Sequence, residues 1–204
     1  MEYILYAIVI ILGYLFGSLN FSIIIGKLFY KIDVREHGSK NAGATNTLRT
    51  LGTVPAVCVL ILDTLKAVAA FGASYLVTKN TVVSYIAATT ASLGHNYPIY
   101  FGFKGGKGVT VSCGAVFCFN PLAGLCVFLT GVIVIILSRY VSLGSILASV
   151  SAPLWVYLFC HSSPYIGLIM VLTLILALQI IIRHHQNIKR LITKSENKIS
   201  FKKK

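Results

Sequence analysis

Phe103-Lys104-Gly105-Gly106-Lys107-Gly108-Val109 puts three glycines and two lysines into seven residues, between stretches apolar enough to enter a membrane. It closes a longer polar passage that begins Gly94-His95-Asn96-Tyr97-Pro98. Which side of a membrane these lysines occupy decides the fold. If they mark the cytoplasmic side, the short apolar segment that follows must itself cross. Glycine lets a backbone turn its N–H groups toward one point, lysine adds a mobile cation, and the run from Val109 offers a helix start whose free N–H groups favour an anion. The loop reads as a phosphate holder; read alone, it is equally a flexible turn between two helices.

The rest of the composition agrees with a membrane setting. The chain has 204 residues, 56% of them hydrophobic and only 11% charged, against about 25% charged in an ordinary soluble domain. Its net charge of +13 sits in short loops and the tail, the pattern of topology determinants and anionic-lipid contacts and not of a nucleic-acid groove. Five cysteines (Cys58, Cys113, Cys118, Cys126, Cys160) lie in or beside apolar stretches without C-x-x-C spacing. They read as small buried hydrophobes, neither disulfides nor a metal site. The N-terminus lacks a basic n-region and a cleavage site, and is expected to be a first span.

Seven spans follow in order: Glu2 to about Ile25 with a polar break at Gly17–Ser22, Val54–Val77, Thr81–Phe101, Val109–Asn120, Pro121–Ser138, Leu143–Cys160 and Pro164–Ile182. The fourth is short, roughly 18 Å at 1.5 Å per residue. With the N-terminus outside, sixteen Lys and Arg fall in inside segments and one, Lys79, in an outside segment. That bias needs an odd number of crossings. The expected fold is an all-α bundle of seven transmembrane helices in a single domain, residues 1–204. Its N-terminus is outside and its C-terminus cytoplasmic, with residues 190–204 as a basic tail. All the unusual polar loops then share the cytoplasmic face.

Gly38-Ser39-Lys40-Asn41-Ala42-Gly43-Ala44-Thr45-Asn46-Thr47-Leu48-Arg49 is the first such loop, within the long connection from Gly26 to Thr53. Its backbone N–H groups can form an anion-binding nest. Ser39, Thr45 and Asn46 can donate hydrogen bonds, and Arg49 offers a planar fork for two phosphate oxygens. The glycine-lysine loop is not a nucleotide P-loop: Gly102 to Gly106 is one residue short, Gly108 stands where Ser or Thr belongs, and no strand precedes it. Past the last span, Arg183-His184-His185-Gln186-Asn187-Ile188-Lys189-Arg190-Leu191 places His184 and Asn187 on one helical face. Lys189, Arg190 and Lys202–Lys204 read instead as a lipid-held basic segment. Arg139-Tyr140-Val141-Ser142-Leu143-Gly144-Ser145 offers further hydroxyls. Asp63 and Lys66, i and i+3 within a span, read as a mutually neutralising pair.

Taken together and in this order, these loops resemble the bacterial acyl-phosphate:glycerol-3-phosphate acyltransferase family along nearly the whole chain, Asp63-x-x-Lys66 included. Three positions depart from it. Lys40 and Lys194 stand where the family usually has glycine, and Asn20 where it usually has proline. The resemblance implies a seven-helix enzyme of the bacterial cytoplasmic membrane, with its active site facing the cytoplasm. It would transfer a fatty acyl group from acyl phosphate to the 1-hydroxyl of glycerol 3-phosphate, releasing lysophosphatidate and phosphate in phospholipid synthesis. It implies catalytic roles for Ser39, Arg49, His184 and Asn187, with His95 and His184 as possible bases. Substrate binding would fall to Gly38, Asn41, Gly43, Thr45, Asn46, Lys104, Gly105, Gly106, Lys107, Gly108 and Ser142. No metal, cofactor or nucleic acid is implied; the partners are the two substrates and anionic lipid, and the protein would be a monomer. The competing class is a transporter or channel for a phosphorylated solute, which would place its site near the midplane of repeated halves. No repeat is visible here. A structural anchor held by its tail would leave the first two loops without a role.

Overall fold

A computed structural model describes residues 2–199, and among these all regular structure is helical. The chain divides into two compact units, residues up to Phe119 and from Asn120 onward.

In the first unit, helix α1 (Glu2–Gly17) packs along α5 (Thr81–Asn96), and both pack on the long α4 (Thr53–Thr78). The α1–α5 approach is close because small residues line it. A Cβ on Gly13 or Gly17 would collide with the backbone carbonyls of Ala87 and Ala91. This is how apolar helices gain packing where lipid offers no hydrophobic drive. Asn80 caps α5 by accepting from the N–H groups of Val82 and Val83. Helix α6 (Val109–Phe119) packs against α4 and α5.

The expected continuous first span is broken. Helix α1 stops at Gly17, and α2 (Phe21–Tyr30) resumes at a bend of 42°. Both sides of the break are satisfied. Asn20 caps α2 by accepting from Ile23 N–H, and the freed Leu19 carbonyl accepts from Lys66 Nζ at 3.1 Å. The connection from Gly26 to Thr53 is likewise not one loop: it contains the end of α2 and the whole of α3 (Ala44–Leu51). Ile23, Val34 and Ala42, fully buried, form a small apolar plug with Leu51 and Phe101 under these turns. That plug docks the first polar loop onto the segment leading to the glycine-lysine loop.

The second unit holds α7 (Pro121–Ser138), α8 (Val141–Cys160), α9 (Ile166–Arg183) and α10 (His185–Ile192). Asn120 caps α7 by accepting from Ala123 N–H, and Pro121 takes the first helical position, where its missing N–H costs nothing. Helices α7 and α8 meet where Gly131 faces Ala148 and Gly144.

Four helices are long and apolar enough to cross a membrane, α4, α7, α8 and α9, with the bent pair α1–α2 as a fifth if it counts as one span. Helix α5 has 16 residues and α6 only 11, so length alone does not qualify them. The long helices turn apolar side chains outward, as with Leu60, Ile61 and Leu65 on α4 or Ile133, Ile136 and Leu137 on α7. The cysteines are unpaired, as read, but not buried: Cys58 is exposed and the other four are half-buried.

Candidate active site

The first polar loop is built around Asn46. Buried at the start of α3, it accepts from Ser39 N–H at 2.7 Å and donates to the carbonyls of Val34 and His37. Its amide is therefore engaged with the loop's own backbone, as is the Ser39 N–H. Gly38 turns in the left-handed region at φ +58°, and an added Cβ would strike Asn46 Oδ1. Lys40 repeats the left-handed turn at φ +57°, a conformation a side chain enters at a cost of about 1–2 kcal/mol. The glycine expected there by resemblance has a physical reason. Thr47 Oγ1 bonds both the Gly43 carbonyl and Ser22 Oγ, fixing α3 on α2. Gly43 precedes α3 without any side-chain cap. What remains outward is chemically suggestive. Ser39, Thr45 and Arg49 are exposed, Asn41 and Gly43 half-buried, and the Arg49 side chain makes no hydrogen bond or ion pair among the described residues.

Arg35, which the sequence offers only as a topology charge, holds two loops together. Its guanidinium forks onto Asp33, at 2.7 Å from Nη2 to Oδ2, and its Nη1 donates to the carbonyls of Phe101 (2.8 Å) and Lys104 (3.2 Å). Lys27 adds a second cation to Asp33 at 3.2 Å. The Arg35 guanidinium beside Asp33 holds its carboxyl well below the usual carboxylate range, against a smaller upward push from burial.

The glycine-lysine loop runs directly into the first turn of α6, as its composition predicts. Its glycines do something the sequence does not reveal: they let the backbone lie on the end of α5. A Cβ on Gly105 would collide with the His95 carbonyl, and one on Gly108 would lie 2.8 Å from Asn96 Oδ1 and 2.9 Å from Ser92 Oγ. At Gly106 it would overlap His95 Nε2 and come within 2.5 Å of the Ala42 carbonyl. Gly106 N–H donates to the His95 carbonyl at 3.1 Å. The two glycine-bearing loops thus touch at Ala42 and Gly106, with His95 beneath them. Gly105, Gly106 and Gly108 are buried, Lys107 is half-buried and Lys104 is exposed.

The Asp63–Lys66 pair is present at 3.0 Å, almost completely buried, but it is not a pair alone. Lys66 Nζ also lies 2.8 Å from His95 Nδ1, which is 3.5 Å from Asp63 Oδ1. The expected two-residue neutralisation becomes a three-residue cluster reaching the glycine loop.

In the second unit, Ser142 and Asn187 converge on Glu196, a residue of the basic tail. Glu196 Oε1 accepts from Asn187 Nδ2 (2.8 Å) and Ser142 Oγ (3.0 Å), and Oε2 from Arg190 Nε (2.7 Å). Burial pushes the Glu196 carboxyl up, but these three donors outweigh it and hold it below its ordinary value. Arg190 is therefore an ion-pair partner of Glu196. The tail is folded back as far as Ile199, whose N–H donates to the Arg139 carbonyl. Lys194, at φ +55°, is a second lysine in a left-handed turn where glycine was expected. His184 is buried at the α9–α10 junction with Nδ1 2.8 Å from the Ile180 carbonyl. Lys202–Lys204 lie outside the described residues. Among the described residues, no group of three His, Cys, Asp or Glu side chains is placed to hold a metal ion.

The family model for glycerol-3-phosphate acyltransferase matches residues 7–194. The glycerol-3-phosphate acyltransferases of Shouchella clausii and Halalkalibacterium halodurans are 44% and 43% identical, the alignments covering 95% and 96% of each pair of chains. The crystal structure of PlsY, an integral membrane glycerol 3-phosphate acyltransferase, in its glycerol 3-phosphate form superposes with a TM-score of 0.86 at 37% identity, covering 96% of both chains. Its lysophosphatidic acid form gives 0.82 at the same identity, covering 96% of this chain and 95% of that one. The chain is a multi-pass membrane protein, and it belongs to the glycerol-3-phosphate acyltransferase family.

Proposed function

We propose that this protein transfers a fatty acyl group from acyl phosphate to the 1-hydroxyl of glycerol 3-phosphate. The observation that carries the reading is the contact between two glycine-bearing loops at Ala42 and Gly106, with the exposed Ser39, Thr45 and unengaged Arg49 on one and Lys104 and Lys107 on the other. Two phosphorylated substrates need two anion sites side by side. Here one loop carries a guanidinium fork, hydroxyls and the uncapped first turn of α3, and the other carries two lysines and the start of α6. Gly38 and Asn46 shape the first loop, while Gly105, Gly106 and Gly108 seat the second. Within the second unit, His184, Asn187 and Ser142 keep the roles that the resemblance implies, and Glu196 orients the last two.

The glycerol 3-phosphate hydroxyl oxygen attacks the acyl carbonyl carbon, the carbon–oxygen bond to phosphate breaks, and phosphate leaves. The donor's own phosphate oxygen takes the hydroxyl proton, so no side-chain base is required. No histidine among His37, His95, His161, His184 and His185 is followed by Asp in the H-x-x-x-x-D spacing of thioester-using acyltransferases. Ser39 and Arg49 stabilise the charge that develops on the departing phosphate.

The topology that goes with this reading counts α1–α2 as one bent crossing and adds α4 through α9, seven in all, in one functional domain. The N-terminus is outside, and the loops and C-terminus are on the cytoplasmic side of a bacterial cytoplasmic membrane. Sixteen inside cations against one support it. The working unit is a monomer whose terminal lysines meet anionic lipid. The test is purified protein with glycerol 3-phosphate and either palmitoyl phosphate or palmitoyl-CoA, following phosphate release and lysophosphatidate. Turnover confined to the phosphate donor is expected. Comparable turnover with the CoA ester overturns the donor, and absence of lysophosphatidate with both overturns the reaction.

A further inference from the structure

Arg35 sets its guanidinium as a bracket across a turn that the backbone closes poorly. Its Nε and Nη2 lie on the Asp33 carboxylate. Its Nη1 carries two N–H donors and meets two carbonyls, those of Phe101 at 2.8 Å and Lys104 at 3.2 Å. These carbonyls stand on either side of Gly102 and Phe103, both in left-handed backbone. The turn's own closing bond, from Lys104 N–H to the Phe101 carbonyl, is long at 3.5 Å. Arg35 supplies the tie that this bond does not.

Lys104 is thereby fixed at its backbone while its side chain is exposed. Arg35 holds its carbonyl, and the planar peptide that follows leads into Gly105, packed against the His95 carbonyl. The first loop keeps its shape by other means. Asn46 bonds the Ser39 N–H and the carbonyls of Val34 and His37, and Val34 sits in the apolar plug with Phe101. Loss of the guanidinium therefore releases chiefly the stretch from Phe101 to Lys104.

We infer that Arg35, anchored by Asp33, is a positioning residue that sets how the Lys104 ammonium meets the phosphate of glycerol 3-phosphate. Lysine does not replace it: three donors radiating from one nitrogen do not reproduce a planar fork with a carboxylate on one edge and two carbonyls on the other. That the anion is glycerol 3-phosphate rests on the proposed function; the bracket itself stands on geometry.

The test is a double-mutant cycle in purified protein, with KM measured separately for glycerol 3-phosphate and palmitoyl phosphate. Lys104→Met should raise the glycerol 3-phosphate KM about 10–100-fold, the loss of one charge-assisted contact. Arg35→Gln should raise it about 3–10-fold in the parent but under about twofold in the Lys104→Met background, because the two act as one unit. The palmitoyl phosphate KM should stay within about twofold of the parent in Arg35→Gln. Equal rises in both backgrounds, an equal rise for the donor, or an unmoved glycerol 3-phosphate KM in either single variant overturns the inference. Trypsin gives a reading independent of turnover. Cleavage after Lys104, located by mass spectrometry, should be slow in the parent and fast in Arg35→Gln; equal rates in the two overturn the bracket. Where Arg35→Gln does not fold, Arg35→Lys keeps a cation beside Asp33, and the same KM rise and the same cleavage are expected of it. A parent without acyl transfer sinks the proposed function and the substrate named here, while the trypsin arm still decides whether Arg35 fixes Lys104.

Discussion

Gly106→Ala tests whether the glycine-lysine loop is a slack turn or a fitted part. The new methyl meets His95 Nε2 and finds the Ala42 carbonyl at 2.5 Å, where ordinary contact begins near 3.4 Å. That carbonyl must retreat by about 0.9 Å, and it belongs to a backbone also held by Asn20 Nδ2 at 3.3 Å. Relief by moving the His95 ring alone would leave the carbonyl clash in place and pull His95 Nδ1 from Lys66. Overpacking of this kind costs about 1–3 kcal/mol, and each kcal/mol lowers Tm by about 2–4 °C in a chain of this size. Turnover should fall with it, because the displaced groups join both loops. Gly102→Ala is the control: nothing lies within 4 Å of its Cβ, and only its φ of +64° is strained. That variant should lose about 1–2 kcal/mol and keep its kcat. Thermal unfolding in detergent and steady-state phosphate release measure both. A Gly106→Ala protein with the parent's Tm and kcat would refute the packing argument.

Lys40→Gly should raise stability by roughly 0.5–1 kcal/mol, the left-handed strain relieved less the entropy glycine adds to the unfolded chain. Thermal unfolding reads it directly, and an unchanged or lower Tm would mean that the lysine side chain contributes more than its backbone costs. The folded-back tail should be acid-labile. Glu196 has a depressed carboxyl, so its stabilising effect is complete above its ordinary value of 4.5 and is lost as pH falls below that through the folded value. Proteolysis of the tail as a function of pH should show release in that acidic window, and Glu196→Gln should be susceptible at neutral pH as well. A tail protected equally at all pH values would count against the carboxylate contacts.

Local signals were legible in the chain, and long-range ones were not. Asn80, Asn120 and Pro121 start helices where their capping chemistry says they should, and the glycine-lysine loop ends at the first turn of α6. Asp63 and Lys66 pair because i, i+3 spacing is fixed by the helix itself. His95 joins them across 29 positions, and Arg35 reaches the Phe101 and Lys104 carbonyls across 66 and 69, distances that no periodicity encodes. Glu196 carries no signal of its own in the basic tail, yet the left-handed turn at Lys194 brings it back onto Asn187 only nine residues away. The break after Gly17 was visible as polar residues. Its consequence, a carbonyl freed for Lys66, depended on a partner in another helix.

These long-range ties bear on how the loop would work. A glycine-rich segment is ordinarily the most mobile part of a chain, and mobile donors must be ordered before they can stabilise a transition state. Here three glycines are buried against the end of α5, two carbonyls on the loop's approach are held by Arg35, and Gly106 N–H is bonded to His95. Slack is confined to Gly102 and Phe103, both left-handed and exposed. The ordering cost has therefore been met during folding, and under the proposed function an arriving phosphate would find the loop already ordered, which is where electrostatic stabilisation is most effective. The same reasoning explains why an intramembrane charge cluster sits beside a polar loop. Asp63 and Lys66 cost little while they neutralise each other, and from within the helix bundle they hold rigid the histidine on which the loop rests.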